Sequence, residues 1–436
     1  MRSGLFLRNR FHGQDERRFD RSRGGLGNAP GAGYAGVMPV PIQPLAVSAY
    51  TATSALGHGL ENHLVALSAT RGGLRPNDFS SAPLACWIGR VEGVEDAALP
   101  AAHSVWECRN NRLAWLGLRQ DGFLERALDV RQRYGAARVA LVLGTSTASI
   151  GATEEAYRRL DDEGRMPPDL RRPLIHAPHS LAGFVAEALG LEGPCLTVST
   201  ACSSSAKVFA HAERLIRLGL ADAAVVGGVD TLCDSVLFGF NALELVSPEP
   251  CRPFDQARRG ISIGEAAGFA LLERTGMAPQ APRLLGYGES SDAHHMSTPH
   301  PEGLGAELAL RDALTRANLH ADQVDYINLH GTASLKNDEV EAALVTRAFP
   351  TTTRASSTKG FTGHTLGAAG ILEAAVALQA IKHAMVPANL GCTAPDAACG
   401  PQFAWEMEQR SVDVAVSNSF GFGGNNACLV FGRAPA

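Results

Sequence analysis

Lysine is nearly missing from this chain. It occupies only positions 207, 336, 359 and 382 of 436 residues, while arginine is plentiful. The bias carries no chemistry by itself, but each lysine becomes a residue worth explaining. Basic charge as a whole is also short: 39 Lys and Arg stand against 44 Asp and Glu, a formal net charge of −5. A dedicated nucleic-acid binder carries a basic excess, so the charge argues against that class, but not against a local arginine patch for an acidic partner. Long apolar runs are missing too. None approaches the roughly 20 residues of a membrane-spanning helix, and the basic opening Met1-Arg-Ser-Gly-Leu-Phe-Leu-Arg has too short an apolar core for a secretory signal. The nine cysteines are scattered without a C-x-x-C pair, which gives no zinc pattern and suits a reducing compartment. The expected setting is the cytoplasm, with neither membrane nor nucleic acid as partner.

What is there is a large α/β protein. Hydrophobic content of 45% with 19% charge fits a globular chain with ample core. Residues 1–37 are rich in Arg and Gly without apolar periodicity, and are expected to be disordered. Strand-like runs follow at Pro44–Tyr50, Val139–Leu143, Leu196–Val198 and Ala223–Val226, alternating with helical stretches. That alternation predicts a parallel or mixed sheet covered on both faces. Thr275–Pro282 reads as a linker between a half at 38–282 and a half at 283–436. In the second half, strands are expected at Leu284–Tyr287, Val324–Leu329, Arg354–Ser357, Val412–Ser417 and Cys428–Phe431. Helices are expected at Glu307–Ala317, Asp338–Arg347 and, Ala-rich and buried, Leu366–His383.

The halves echo each other. Leu196-Thr-Val-Ser-Thr-Ala-Cys202-Ser-Ser-Ser-Ala passes from an apolar run, Leu196–Val198, expected to be a buried strand, to a helix whose apolar residues Val208, Ala212, Leu215 and Ile216 share one face. Cys202 therefore sits near a helix N-terminus, which favours an anion, and its thiol is expected to ionise more readily than a free cysteine. Ser357-Thr-Lys-Gly-Phe-Thr-Gly-His364-Thr-Leu-Gly-Ala-Ala opens the matching helix of the second half. A duplicated unit brings these two helix starts face to face, one with a cysteine and one with a histidine. The second histidine, His330, follows the strand that ends at Leu329, a position where open α/β sheets place their chemistry.

These blocks resemble those of the β-ketoacyl-acyl-carrier-protein synthases, the elongating condensing enzymes. The resemblance is carried by Thr200-Ala-Cys202-Ser-Ser-Ser, His330-Gly-Thr, Ser357-Thr-Lys359-Gly-Phe-Thr-Gly-His364 and Asn418-Ser-Phe-Gly-Phe422-Gly-Gly, with a fifth block at Cys251–Gly268. It runs in order from about Pro41 to Arg433. It implies a thiolase-like fold, αβαβα in five layers and duplicated, usually as a homodimer, with a heterodimer as the alternative. It also implies acyl carrier protein, loaded with acyl or malonyl groups, as partner. In that family's terms Cys202 is the acyl-accepting nucleophile, and His330 and His364 drive decarboxylation of a malonyl unit. Lys359 and Glu373 are a charged pair supporting the second histidine. Thr332 and Ser334 are hydroxyls near the malonyl carboxylate, and Phe422 is an aromatic gate whose N–H, with that of Cys202, forms an oxyanion hole. Ser334 stands where relatives usually have Thr, Leu335 where many have Pro, and the first strand lacks the usual glycine pair.

The chemistry agrees with the residues. A thiolate exchanges readily with a thioester and can hold an acyl chain. Loss of CO2 from a malonyl group gives an enolate without a strong base, and neutral imidazole N–H groups stabilise that charge as it develops. No metal or organic cofactor is needed. Two other classes share the fold: a thiolase, which resembles a pattern with a second catalytic cysteine near the C-terminus, where Cys428 lies within an apolar strand, and a chain-length-factor partner subunit, which lacks the nucleophile. A specialised role in polyketide or aryl-polyene assembly is a further expectation from the departures noted above.

Overall fold

The computed structural model describes residues 40–435. The segment 1–37, read above as disordered, lies outside the described residues. Strands β1 (Leu45–Ser54), β2 (Val139–Gly144), β3 (Cys195–Val198), β4 (Ala223–Asp230) and β5 (Ala266–Arg274) make one half of a central sheet. Strands β6 (Arg283–Ser291), β7 (Tyr326–Asn328), β8 (Arg354–Ser356), β9 (Val414–Gly421) and β10 (Asn425–Gly432) make the other. The order along the sheet is β8-β7-β9-β10-β6-β1-β5-β4-β2-β3. Strand β2 runs parallel to β3 and β4, and β7 parallel to β8 and β9, while the remaining neighbours are antiparallel. Within the sheet the halves are joined at one end of β1, where Leu45 faces Leu284 and Ala46 faces Arg283.

The helices α1 (Arg109–Leu118), α2 (Ser180–Leu189), α3 (Ser204–Arg217), α4 (Asp234–Ala242), α5 (Leu304–Ala317), α6 (Leu335–Ala348) and α7 (Ala369–His383) fill the layers around the sheet. Every residue of β2 is buried, and alternate residues serve different cores. Val139, Leu141 and Leu143 face α1 and α2, while Ala140 and Val142 face α3 and α7. On β10, Ala427, Leu429 and Phe431 face that same central pair, and Cys428 and Val430 face α5 and α6. The result is helix, sheet, helix, sheet, helix: the expected five layers. The central pair meets closely, because a Cβ on Gly370 of α7 would fall 2.8 Å from Ala206 Cβ of α3. Ile371 N–H donates to Ser205 Oγ at 2.9 Å across the same contact. The two helix starts singled out in the sequence do face each other.

One strand differs from expectation. The run Leu196–Val198, expected to be buried, forms the end of the sheet and pairs only with β2. Leu196 is 39% exposed. An apolar run reads the same whether or not its outer face has a neighbour.

Candidate active site

Cys202 follows β3 through Ala201, whose φ of +51° places a residue with a side chain in the left-handed region. That turn costs backbone strain and delivers the sulfur just ahead of Ser203, the N-cap of α3. His364 lies on the loop between a short helical turn, Lys359–Thr362, and α7, where Gly363 and Leu366 both have positive φ. His330 follows the C-terminal end of β7. All three side chains are buried. His364 Nε2 lies 2.9 Å from Cys202 Sγ, the two imidazole rings sit 5.3 Å apart at 87°, and one ligand atom from each of the three residues lies within 4.8 Å of the others.

The partners on the far side of each ring define its tautomer. Leu366 N–H can only donate, and it points at His364 Nδ1 at 3.3 Å. The Lys359 ammonium also can only donate, and its Nζ stands 3.4 Å from His330 Nδ1. Both Nδ1 atoms are therefore acceptors, and both rings carry their proton on Nε2, which in His364 faces the cysteine. A protonated Nε2 offers no lone pair to a metal ion, so this cluster is arranged to donate hydrogen bonds rather than to ligate. Burial, with the nearby Lys359 charge, holds both imidazoles well below their usual pKa, so they stay neutral.

The ionisation expected of Cys202 is corrected by its burial. Desolvation pushes the thiol up to about 12, against the opposing pull of Lys359 and of the Phe422 N–H. The helix start is there, but a thiolate this deeply buried loses more than it gains. Lys359 and Glu373, both buried, form an ion pair, and Lys359 Nζ also donates to the His330 carbonyl at 2.5 Å. Burial pushes the Glu373 carboxyl up to about 7 although Lys359 opposes it. This pair therefore acts on His330, as a donor to its Nδ1 and as an anchor for its main chain.

A cavity of about 410 Å3 opens on the sulfur, lined by Cys202, His330, His364, Thr332, Ser334 and Phe422 among others. Thr332 Oγ1 and Ser334 Oγ are 2.9 Å apart. The Phe422 ring stacks on Phe240 of α4 at 5.5 Å, and its main-chain N–H faces Cys202 Sγ. Of the expected site residues, only Lys359 and Glu373 stand behind this lining rather than in it. His295, unassigned from sequence, lines the cavity, whereas His176 and His179 bond to Thr153 and Thr197 and do not.

Three carboxylates that shape the site were missed. Asp230, ending β4, accepts from Thr145 Oγ1, from Ser146 and Thr147, and from Gly367 N–H at 2.6 Å, tying the loop after β2 to the His364 loop. Glu341 accepts the N–H groups of His330 and Gly331 at 2.9 and 2.8 Å. Asp338 accepts those of Thr332 and Phe254, at 3.0 and 2.8 Å, beside Arg258 of the fifth block. The available signals were an aspartate closing an otherwise apolar strand and two acids three apart on one helix face.

A buried thiol facing two neutral imidazoles, at the junction of two duplicated α/β halves, defines a thiol acyltransferase of thiolase-like fold. The families described as beta-ketoacyl synthase, N-terminal domain, and beta-ketoacyl synthase, C-terminal domain, match residues 111–278 and 282–393. Nodulation protein E of Rhizobium meliloti (strain 1021) is 36% identical over 306 residues, 68% of this chain and 76% of that protein. The 3-oxoacyl-[acyl-carrier-protein] synthase 2 of Vibrio cholerae is 33% identical over 333 residues, 71% and 79% of the two chains. A chain of the solved complex of a ketosynthase with its chain length factor, from Xenorhabdus doucetiae, superposes with a TM-score of 0.82 at 37% identity, covering 90% of this chain and 98% of that one. The chain belongs to the beta-ketoacyl synthase family. It is a condensing ketosynthase, an enzyme of the acyltransferase class.

Proposed function

We propose that Cys202 accepts an acyl group from an acyl carrier protein and that His330 and His364 then drive condensation with a malonyl carrier-protein thioester. The observation that carries this reading is a buried sulfur with His364 Nε2 2.9 Å away and a His330 ring nitrogen within 4.8 Å, both rings having an Nδ1 that accepts from a fixed donor. In the first step the sulfur attacks the thioester carbonyl, the carrier thiol leaves with the proton, and the N–H groups of Cys202 and Phe422 hold the oxyanion. In the second, the malonyl C–CO2 bond breaks and its electron pair passes into an enolate whose oxygen accepts from His330 and His364. The enolate carbon attacks the acyl carbonyl, Cys202 leaves as a thiolate and takes a proton from solvent, and the products are a β-ketoacyl carrier protein and CO2. Lys359 and Glu373 keep His330 in its donating tautomer, and Thr332 and Ser334 receive the malonyl carboxylate. No cofactor or metal enters any step.

The nucleophile comes from the half at 38–282 and both histidines from the half at 283–436, and the two family matches meet between 278 and 282. The likeness to a ketosynthase solved with its chain length factor supports a heterodimer beside the homodimer. No helix among the described residues is long and apolar enough to cross a membrane, in keeping with a cytoplasmic enzyme. The thiolase alternative is disfavoured because Cys428, its candidate second cysteine, is buried in β10 and does not line the cavity. Intact Cys202 argues against a purely non-catalytic partner. Intact mass after incubation with acyl carrier-protein thioesters tests the reading. Wild type should gain one acyl group and Cys202→Ala none, and acylation of the variant would overturn the assignment.

A further inference from the structure

Of the scarce lysines, Lys336 and Lys382 are exposed and Lys359 belongs to the pair behind His330. Lys207 is also buried, in α3, five residues beyond Cys202. Among the described residues no carboxylate lies within ion-pair distance of it, and its Nζ has one side-chain partner, Asn425 Oδ1 at 3.2 Å. A buried ammonium without a carboxylate is costly, and burial accordingly lowers its pKa. The bond has a directional consequence. An ammonium only donates, so Oδ1 of the carboxamide must face Lys207 and Nδ2 must point away. Nδ2 then donates to the main-chain carbonyl of Phe422 at 3.3 Å.

The turn it reaches, Gly421–Gly424, carries the N–H that faces Cys202 Sγ. Gly421 packs so tightly that a Cβ there would lie 3.2 Å from Cys202 N and 2.9 Å from Thr200 O. The turn's other anchors run to the segment after β6. Gly423 N–H donates to Met296 O at 2.7 Å, Asp292 N–H to Gly424 O at 3.0 Å, and Asn426 Nδ2 to Asp292 Oδ1 at 2.6 Å. Lys207 alone among these anchors comes from α3, the helix that Cys202 precedes.

We propose that Lys207 is a positioning residue for the oxyanion hole: its ammonium orients the Asn425 carboxamide, which holds the Phe422 turn in register with Cys202. The inference rests on the roles given above to Cys202 and Phe422. An apolar side chain at 207 lets the carboxamide rotate and releases the Phe422 carbonyl, so the N–H opposite the sulfur drifts from the developing oxyanion.

The test compares wild type with Lys207→Met, Asn425→Ala and the double variant. It measures kcat and KM for transfer to Cys202 from short-, medium- and long-chain acyl-pantetheine thioesters, read by intact mass, together with melting temperature. Each single variant should lose about 100-fold in kcat with KM little changed, since a displaced oxyanion donor costs on that order. The double variant should lose no more than the worse single one, because both break one chain of contacts. The melting temperature of Lys207→Met should not fall, since an unpaired buried charge is removed. Wild-type kcat in Lys207→Met, losses that multiply in the double variant, or losses that track lower melting temperatures would each overturn the proposal. Should Lys207→Met fail to fold, the kcat of Asn425→Ala decides: a loss at unchanged KM supports the proposal, and wild-type kcat overturns it. A wild type that takes no acyl group on Cys202 overturns this inference and the proposed function together. An acylated wild type with unaffected variants overturns this inference alone.

Discussion

Replacing Glu341 by Gln should remove a pH dependence from the stability of the protein while slowing turnover. The Glu341 carboxyl is fully buried and accepts from His330 N–H, Gly331 N–H and Asn418 Nδ2. Burial outweighs these bonds and pushes its pKa from 4.5 to about 7. Below pH 4.5 the group is protonated in folded and unfolded chains alike and contributes no pH dependence. Between 4.5 and about 7 the folded chain keeps a proton that the unfolded chain has released, so stability falls as pH rises. Above about 7 the loss is complete, and at about 1.4 kcal/mol per pH unit it amounts to about 3 kcal/mol. A carboxamide has the shape of the protonated carboxyl and does not titrate, but its NH2 only donates. Glu341→Gln should therefore lie below wild type at about pH 5, by the about 1–3 kcal/mol of a buried N–H left without an acceptor, and should recover about 2–3 kcal/mol relative to it by about pH 8. Turnover should drop, because an amide nitrogen then faces one of the two N–H groups that fix the His330 loop. Urea unfolding of both proteins across this range measures the gap. A gap that stays constant with pH would refute the buried-carboxylate account.

Two further substitutions probe how the halves and the charged pair serve the site. Gly370→Ala inserts a methyl against Ala206 where the starts of α3 and α7 touch; it should cost about 1–3 kcal/mol of stability and slow both half-reactions, as urea midpoints and rate assays would read, and an unaffected variant would contradict the packing argument. Lys359→Met strands Glu373, whose carboxyl then takes up a proton, and removes the donor that keeps His330 Nδ1 an acceptor. CO2 release should fall about 100-fold, on the scale of losing one oxyanion donor, and by more than acylation of Cys202 does. Equal losses in the two steps would contradict the tautomer role.

The cysteine and both histidines were legible in the sequence because each sits in a small-residue loop after a strand, and the duplicated fold brings those loops to one place. Lys359 and Glu373 were legible through the family resemblance, and their setting agrees with it: a charge in a Gly- and Ala-rich stretch favours burial, and a buried charge needs a partner. Asp230 and Glu341 gave no comparable signal. Many of their partners are main-chain N–H groups, which every residue has, and Asp230 reaches Gly367 across 137 positions. The ionisation of Cys202 was misjudged because a helix start can be read locally, whereas the desolvation that overrides it depends on everything folded around the sulfur. The edge position of β3 was hidden for the same reason, since neighbours in a sheet are set by the whole topology. The scarcity of lysine was informative after all, since both buried lysines stand behind the site residues.

Release of labelled CO2 from a malonyl carrier-protein thioester by the acylated enzyme, with wild type beside His330→Ala and His364→Ala, tests the central claim most directly. The two Nε2–H groups are the only donors assigned to the enolate, so either substitution should slow release by about 100- to 1,000-fold while Cys202 still takes up its acyl group. Chain extension from an acetyl thioester, or CO2 release indifferent to both histidines, would contradict the account.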